Sequence, residues 1–441
     1  MSIRKLGTTL AGLACLLLAI PSFADSQARI VRLSDVEGNV QIDRNTGQGY
    51  EKAILNMPIT QGTKLQTKAD ARAEVEFEDG SALRITPNTL IEFPQLSLRD
   101  AGGRASTVTL QEGTAYVNFK GSKSDELTLN FGHEKLTLAQ PAHLRVEMGD
   151  TQATVAVFTG DVNVEGPSGT LAVGKKQSAT FDLADSDKYK LAKSLESDPF
   201  DSWDKQQAQY HDRYMSSDSS DYSSPYGYGM SDLNYYGSYS NIPGYGMMWQ
   251  PYFAGAGWDP FMNGAWVYYP GFGYTWVSGY PWGWMPYYYG SWYYMPTYGW
   301  MWQQPSTPGS WGGWNGTPRV VNPPPRFTQP QPPTTPDHKT VFVGRGTNPA
   351  LGVSQNRITV RKDSAGLGIP RGSIRNLGKI SETVKQRGAI TTTIHTAPAA
   401  PAMGAPPAST PRTVTPAPRA TPHMSAPAPH TATPHAAPPH N

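Results

Sequence analysis

The residues of this chain best suited to chemistry are aromatic. GAWVYYPGFGYTW, residues 264–276, carries six aromatic side chains in thirteen residues, and GSWYYMPTYGWMW, residues 290–302, repeats its skeleton. Exposed Trp and Tyr rings stack on the apolar faces of sugars, while Tyr hydroxyls and glycine-lined backbone hydrogen-bond around them. Trp266, Tyr268, Trp276, Trp282, Trp284, Trp292, Tyr294 and Trp302 are therefore the candidate ligand-binding residues. The same rings also suit the core of a small β-module, the commoner use of aromatics in that setting, or a groove that reads a protein partner.

Other constellations carry less. Gly169-Thr-Leu-Ala-Val-Gly-Lys-Lys176 approximates a phosphate loop, but Lys176 stands where a Ser or Thr would hold magnesium, and the strand-to-helix setting is missing. Gly-x-Ser-x-Gly and His-Glu-x-x-His do not occur. The carboxylates of the first half are too evenly scattered for one pair to stand out as acid and base. His423, His430, His435 and His440 invite a metal reading, yet nothing in that sequence preorganises them. The expectation is a non-enzymatic protein with no cofactor and no resident metal.

The elements that must position the aromatics can be read from the repeat. Trp258–Trp276 and Trp284–Trp302 align as W-x-P-[FY]-x-x-G-[AS]-W-x-Y-x-P-x-[FY]-G-[YW]-x-W, and GSYSNIPGYGMMW, residues 237–249, is a weaker earlier copy. Within each unit a short extended run meets a Pro/Gly break and returns, which predicts a β-hairpin. Alternation puts Trp266 and Tyr268 on one face and Val267 and Tyr269 on the other, so both faces are apolar or aromatic. A lone hairpin is marginal in water. Several must pack together, or on a neighbour, in a module spanning about 232–304.

Upstream, residues 28–183 alternate apolar and polar residues with frequent Gly, predicting one all-β domain with a hairpin at Asp79-Gly80. Asp198 and Pro199 open an amphipathic helix over 198–214, with Phe200, Trp203, Gln207, Tyr210 and Tyr214 at helical spacing. From 319 to 441 proline climbs and periodicity fades, predicting a disordered tail. Within it, residues 338–387 hold ten Lys or Arg against Asp363 and Glu382, a solvated run or a contact for an anionic envelope polymer. At the start, Arg4 and Lys5 precede an apolar run from Leu10 to Ile20 and a Ser22-Phe23-Ala24 pattern, as in a secretory signal peptide spanning 1–24. The one cysteine, Cys15, lies inside it, so the exported chain is expected to have no disulfide. No later stretch offers about 20 apolar residues without Gly or Pro, so no transmembrane helix is expected in the mature chain.

Val36-Glu-Gly-Asn-Val40, Gly62-Thr-Lys-Leu-Gln-Thr67, Ala71-Arg-Ala-Glu-Val75 and Asp79-Gly-Ser-Ala-Leu-Arg-Ile-Thr-Pro-Asn88 resemble the FecR-like periplasmic domain over residues 30–180. The resemblance implies an all-β fold, two-layered or solenoid-like. FecR regulators relay an outer-membrane signal through a membrane helix and a cytoplasmic segment, neither of which is expected here. Asp198-Pro-Phe-Asp-Ser-Trp203, Trp258-Asp-Pro-Phe261, Gly264-Ala-Trp266 and Tyr280-Pro-Trp-Gly-Trp-Met-Pro-Tyr287 resemble an uncharacterised exported family that joins such a domain to an aromatic segment. The overall expectation is a non-enzymatic extracytoplasmic binding or scaffold protein, periplasmic or secreted, whose partner is a cell-envelope protein or polysaccharide and not nucleic acid. Signalling through a partner membrane protein, and glycan or peptidoglycan binding by the aromatic repeats, are the alternatives.

Overall fold

Strand Arg104–Phe119 sets the architecture of the first half, because it belongs to two sheets. Its first part pairs antiparallel with Leu90–Leu98 and parallel with Glu126–Phe131; from Gly113 onward it pairs with Ala82–Ile85 and Ala142–Met148. The corner falls at Gly113, whose φ of 88° is left-handed and where a Cβ would lie 2.5 Å from the Asn88 carbonyl oxygen. Only glycine fits such a corner. That glycine reads as a break between two short strands in the sequence; the chain runs through it as one bent strand.

One sheet continues outward from this strand through Ala82–Ile85, Arg72–Glu76 and Val31–Glu37 on one side, and through Ala142–Met148, Gln152–Thr159, Gln177–Asp182 and Lys188–Ala192 on the other. The second sheet holds Val40–Asp43, Lys64–Thr67, Leu90–Leu98, Glu126–Phe131, Glu134–Leu138, Val162–Gly166 and Gly169–Val173. Leu33, Val75, Leu83, Val117 and Leu144 of the first sheet share one aliphatic cluster with Val40, Leu65, Ile91, Val108, Leu129 and Val164 of the second. The domain is thus the expected two-layered all-β fold. Asp79-Gly80 makes the expected hairpin, with the Phe77 amide donating to Ser81.

This computed structural model describes residues 29–394, apart from 100–101, 122–123, 186, 216–226, 306–317, 335–336, 345–351 and 355–356. The expected signal peptide at 1–24, the four C-terminal histidines and the rest of residues 395–441 lie outside the described residues.

Helix α1 (Asp201–Met215) opens where Asp198 predicts: the Asp198 carboxylate accepts the Phe200 amide at 2.7 Å, and Asp201 accepts the Asp198 amide at 2.9 Å. A short α2 (Met230–Tyr236) follows. Then come three hairpins, Gly237–Ile242 with Gly246–Pro251, Asn263–Tyr269 with Gly273–Ser278, and Ser291–Met295 with Gly299–Gln303, the last two separated by one turn of helix, α3 (Met285–Tyr288). Each hairpin coincides with one copy of the repeat. The first and third join at Trp249 and Trp302 in one sheet, which gains Arg319–Val321 as a parallel strand. The second pairs instead with Val341–Gly344.

The second hairpin shows why both of its faces are apolar. Ala265, Val267, Tyr269 and Val277 belong to the aliphatic cluster of the β domain, while Trp266 and Trp276, one residue out of phase, belong to a separate aromatic cluster. With a period of two, one hairpin serves two cores.

Ordered structure continues past residue 319, which corrects the expected start of the tail. Arg357–Arg361 pairs with Gly352–Ser354 and with Ala389–Thr393, and α4 is Leu377–Arg387. Ile358, Val360, Ala365, Ile369, Ile374, Leu377 and Val384 are buried in the aromatic cluster. These apolar residues are too dilute to form a core of their own and order by covering one made elsewhere.

Candidate functional site

Alternation that turns Leu33, Ala73, Val75 and Leu83 inward turns Arg32, Ser34, Glu74, Glu76 and Arg84 onto the outer face of the first sheet. That face is covered. Helices α1 and α2 and the segment around Arg371 close over it, and a charge network sits in the seam. Register places the charges: Arg32 lies opposite Glu76, and Glu74, Arg84, Tyr116 and Arg145 follow one another across four strands.

Arg84 bridges Glu74 and Asp204, both at 2.8 Å, with all three side chains at most 3% exposed. Arg32 pairs with Asp232 at 2.6 Å and Glu76 at 3.1 Å, and donates to the Pro281 carbonyl of the aromatic module. Arg371, from the basic segment read as a solvated run or an anionic-polymer contact, reaches Glu74 at 2.6 Å and Asp232 at 3.0 Å. His211 of α1 lies 2.9 Å from Glu74 and 3.1 Å from the Ser231 hydroxyl of α2. His143 meets Asp204 at 2.8 Å, and Asp201 takes Arg145 at 2.6 Å. On α1, Asp201, Asp204 and His211 therefore occupy the docked face together with Trp203 and Tyr210, so the helix seats itself by charge as well as by its predicted apolar stripe.

Burial alone would raise the Glu74 carboxyl, but His211, Arg371 and Arg84 together hold it well below the usual carboxylate range. Asp232 is depressed in the same way, burial being outweighed by Arg371, Arg32 and His211. At the margin Asp35 goes the other way: desolvation, reinforced by Glu37 and Glu74 against the pull of Arg371, pushes it up to about 7. The seam is thus a set of mutually committed ion pairs that ties strands, helices and the distal segment into one body.

Six of the eight sequence-predicted ligand residues are interior. Trp266, Trp276, Trp282, Trp284, Trp292 and Trp302 are at most 1% exposed. Trp282 lies at the centre, stacked on Tyr280 at 4.9 Å and surrounded by Trp249, Trp258 and Trp292 at 4.9–6.0 Å. Its indole donates to Ala365, as Trp249 does to Leu233 and Trp302 to Tyr289. The indole nitrogens of Trp266, Trp276, Trp284 and Trp292 have no hydrogen-bond partner among the described residues. Tyr268 is half-buried and stacks on His338 at 3.9 Å, and Tyr294 is half-buried beside Trp300.

Of the eight, Tyr294 lines an open groove. This groove of about 520 Å³ at the tips of the first and third hairpins is lined by it together with Tyr245, Tyr298, Thr297, Asn322 and Pro324. Tyr245 and Tyr298 are 40% and 47% exposed. Both sit in the Pro-x-aromatic-Gly turn of the repeat, which sequence reasoning treated as a strand break; their place in the repeat was the available signal.

A FecR protein family model matches residues 63–163, and a model of a family of unknown function, DUF6600, matches residues 230–325. The chain therefore carries a FecR domain, within the two-layered β fold, followed by a DUF6600 region that takes in the three hairpins and the Arg319–Val321 strand. Helix α1 falls between the two. No curated protein matches the sequence. Two crystal structures of a candidate anti-sigma factor from Parabacteroides distasonis are similar over 30% of this chain, at 16% and 15% identity and TM-scores of 0.26 and 0.27. The chain spans 59% of the length of each. No described helix is long and apolar enough to cross a membrane.

Proposed function

We propose that this chain is a non-enzymatic extracytoplasmic binding or scaffold protein of the bacterial cell envelope. The buried seam carries the reading. Glu74, Glu76, Asp204 and Asp232 are each committed to a guanidinium, so the groups that acid–base chemistry would need instead fix three segments of chain as one rigid support. A support of this kind suits presentation of a surface to an envelope protein or polysaccharide. Arg357, Arg361, Lys362, Arg375, Lys379, Lys385 and Arg387 remain exposed on the distal segment, which supports contact with an anionic envelope polymer there.

A second reading, an envelope signalling component acting through a partner membrane protein, is favoured by the FecR match at 63–163. Cross-linking in intact producing cells, followed by mass spectrometry, tests both. The expected result is an exported chain shortened near Ala24 and joined to an envelope protein or polysaccharide. Recovery in the cytoplasm without envelope contacts would overturn the proposal. Capture of a membrane-embedded regulator, with altered transcription when the gene is deleted, would select the signalling reading.

A further inference from the structure

We infer that the tips of the first and third hairpins form a clamp for a neutral carbohydrate, with Tyr245 and Tyr298 as its two stacking rings. The inference deepens the extracytoplasmic binding reading by naming a site and a ligand class, and it moves the carbohydrate contact away from the buried tryptophans.

The same turn occurs three times: Pro243-Gly-Tyr245-Gly246, Pro270-Gly-Phe272-Gly273 and Pro296-Thr-Tyr298-Gly299. In each, the aromatic residue's amide donates back to the residue before the proline, at 3.0–3.1 Å, and the glycine that follows has φ between 76° and 79°. The backbone is one design, but the rings differ in use. Phe272 packs against the aliphatic core of the β domain. Tyr245 and Tyr298 border the open groove, and their hydroxyls have no protein partner among the described residues.

A second difference follows the first. The residue after the closing tryptophan is Val277 in the second hairpin, buried in the β-domain core, but Gln250 and Gln303 in the first and third. These glutamines reach across to the opposite hairpin. Gln250 donates to the Tyr298 carbonyl at 2.8 Å, and Gln303 donates to the Tyr245 carbonyl at 2.7 Å. The exchange is reciprocal, and it fixes the backbones of the two exposed tyrosines relative to each other. Stiffening of this kind reduces the ordering cost of binding, whereas fold stability gains little from orienting rings that touch solvent.

The lining decides the ligand class. No described residue lining the groove carries a charge, so an anionic polymer would lose hydration there without gaining a counter-charge from them. A pyranose offers an apolar face to each tyrosine and hydroxyls to Thr297, Asn322 and the tyrosine hydroxyls, and the volume falls within the range of small-ligand sites. Pro323–Pro325 line one side, so a proline-rich peptide would meet proline there instead of an aromatic ring.

Affinity electrophoresis of the full exported chain tests the clamp, with a β-glucan and a mannan as neutral probes, polygalacturonate as the anionic probe, and titration with decaproline as the peptide arm. At least one neutral polysaccharide is expected to retard the protein. Tyr245→Ala and Tyr298→Ala should each weaken that retardation about tenfold, as loss of one stacking contact implies. Tyr298→Phe should keep most of it, and Gln250→Ala with Gln303→Ala should weaken it although neither side chain reaches the sugar. The tyrosine variants should melt as the wild type does. Retardation by neither neutral probe, equal retardation of the double tyrosine variant, or tyrosine-dependent binding of decaproline instead would overturn the inference. Absence of carbohydrate binding with envelope cross-links intact would remove the clamp alone; carbohydrate binding without those cross-links would remove the scaffold reading alone.

Discussion

The β domain and the aromatic module both alternate side chains with a period of two, yet they bury them by different means. In the β domain Val31–Glu37, Arg72–Glu76 and Ala82–Ile85 turn Leu33, Val75 and Leu83 into a shared aliphatic cluster and Arg32, Glu74 and Arg84 to the other face. In the second hairpin both faces are buried, one in that aliphatic cluster and one among tryptophans. A sheet with a solvent face can stand alone once it is large enough. A hairpin without one folds only as an attachment. The polar outer face of the first sheet shows the complement: it is polar because it is paired, and the seam joins the two regions where a sequence reading would place water.

The sharpest way to break this comparison is to remove a charge from the seam. Arg84→Met leaves Glu74 and Asp204 buried without their shared partner, and should cost about 3–5 kcal/mol in denaturant unfolding. Trp282→Ala, which empties the centre of the aromatic cluster, should also cost about 3–5 kcal/mol. If the module is an attachment, the Trp282 variant should lose the Val341–Gly344 pairing along with the hairpins, read as faster amide exchange there; unchanged exchange in that strand would count against it.

Acid sharpens the comparison further. Glu74 and Asp232 have depressed pKa values in the fold, so the stability they supply is complete above about 4.5 and is lost as pH falls through their lower folded values. Asp35 acts in the opposite direction. Its pKa is raised from 3.8 to about 7, so its unfavourable contribution is absent below 3.8 and grows as pH rises to about 7. Asp35→Asn should flatten that part of the melting-temperature profile, and a profile unchanged between pH 4 and 7 would contradict the assignment. The smallest effect is expected at a turn. A Cβ at Gly273 meets nothing, so Gly273→Ala should cost only the strain of φ 79°, about 1 kcal/mol, in the same unfolding assay.

The hairpins were legible because the repeat marks their turns with Pro and Gly, and α1 because Asp198 and Pro199 precede a helical stripe. The two layers of the β domain follow from its alternation. The seam was not legible, because Arg32, Glu74 and Arg84 occupy positions that alternation assigns to solvent, and their pairing depends on a strand register that sequence alone does not fix. Residues 357–394 escaped notice for a related reason: Ile358, Val360 and Val384 are spaced among lysines and arginines and are buried in a cluster whose rings lie mostly in the upstream aromatic module. The candidate tryptophans, read as ligand-binding rings or as core, lie in the interior of the module. The exposed ring positions at its tip, Tyr245 and Tyr298, were passed over because a turn residue shows no periodicity.

The central claim is that the seam makes the β domain and the aromatic module one cooperative unit, and native-state hydrogen exchange on wild type and Arg371→Met tests it most directly. The account predicts that amides of Arg72–Glu76 and of Asn263–Tyr269 open with a common free energy, and that loss of the Arg371 ion pairs lowers both together. Separate opening energies, with the β-domain strand unmoved by the substitution, would contradict it.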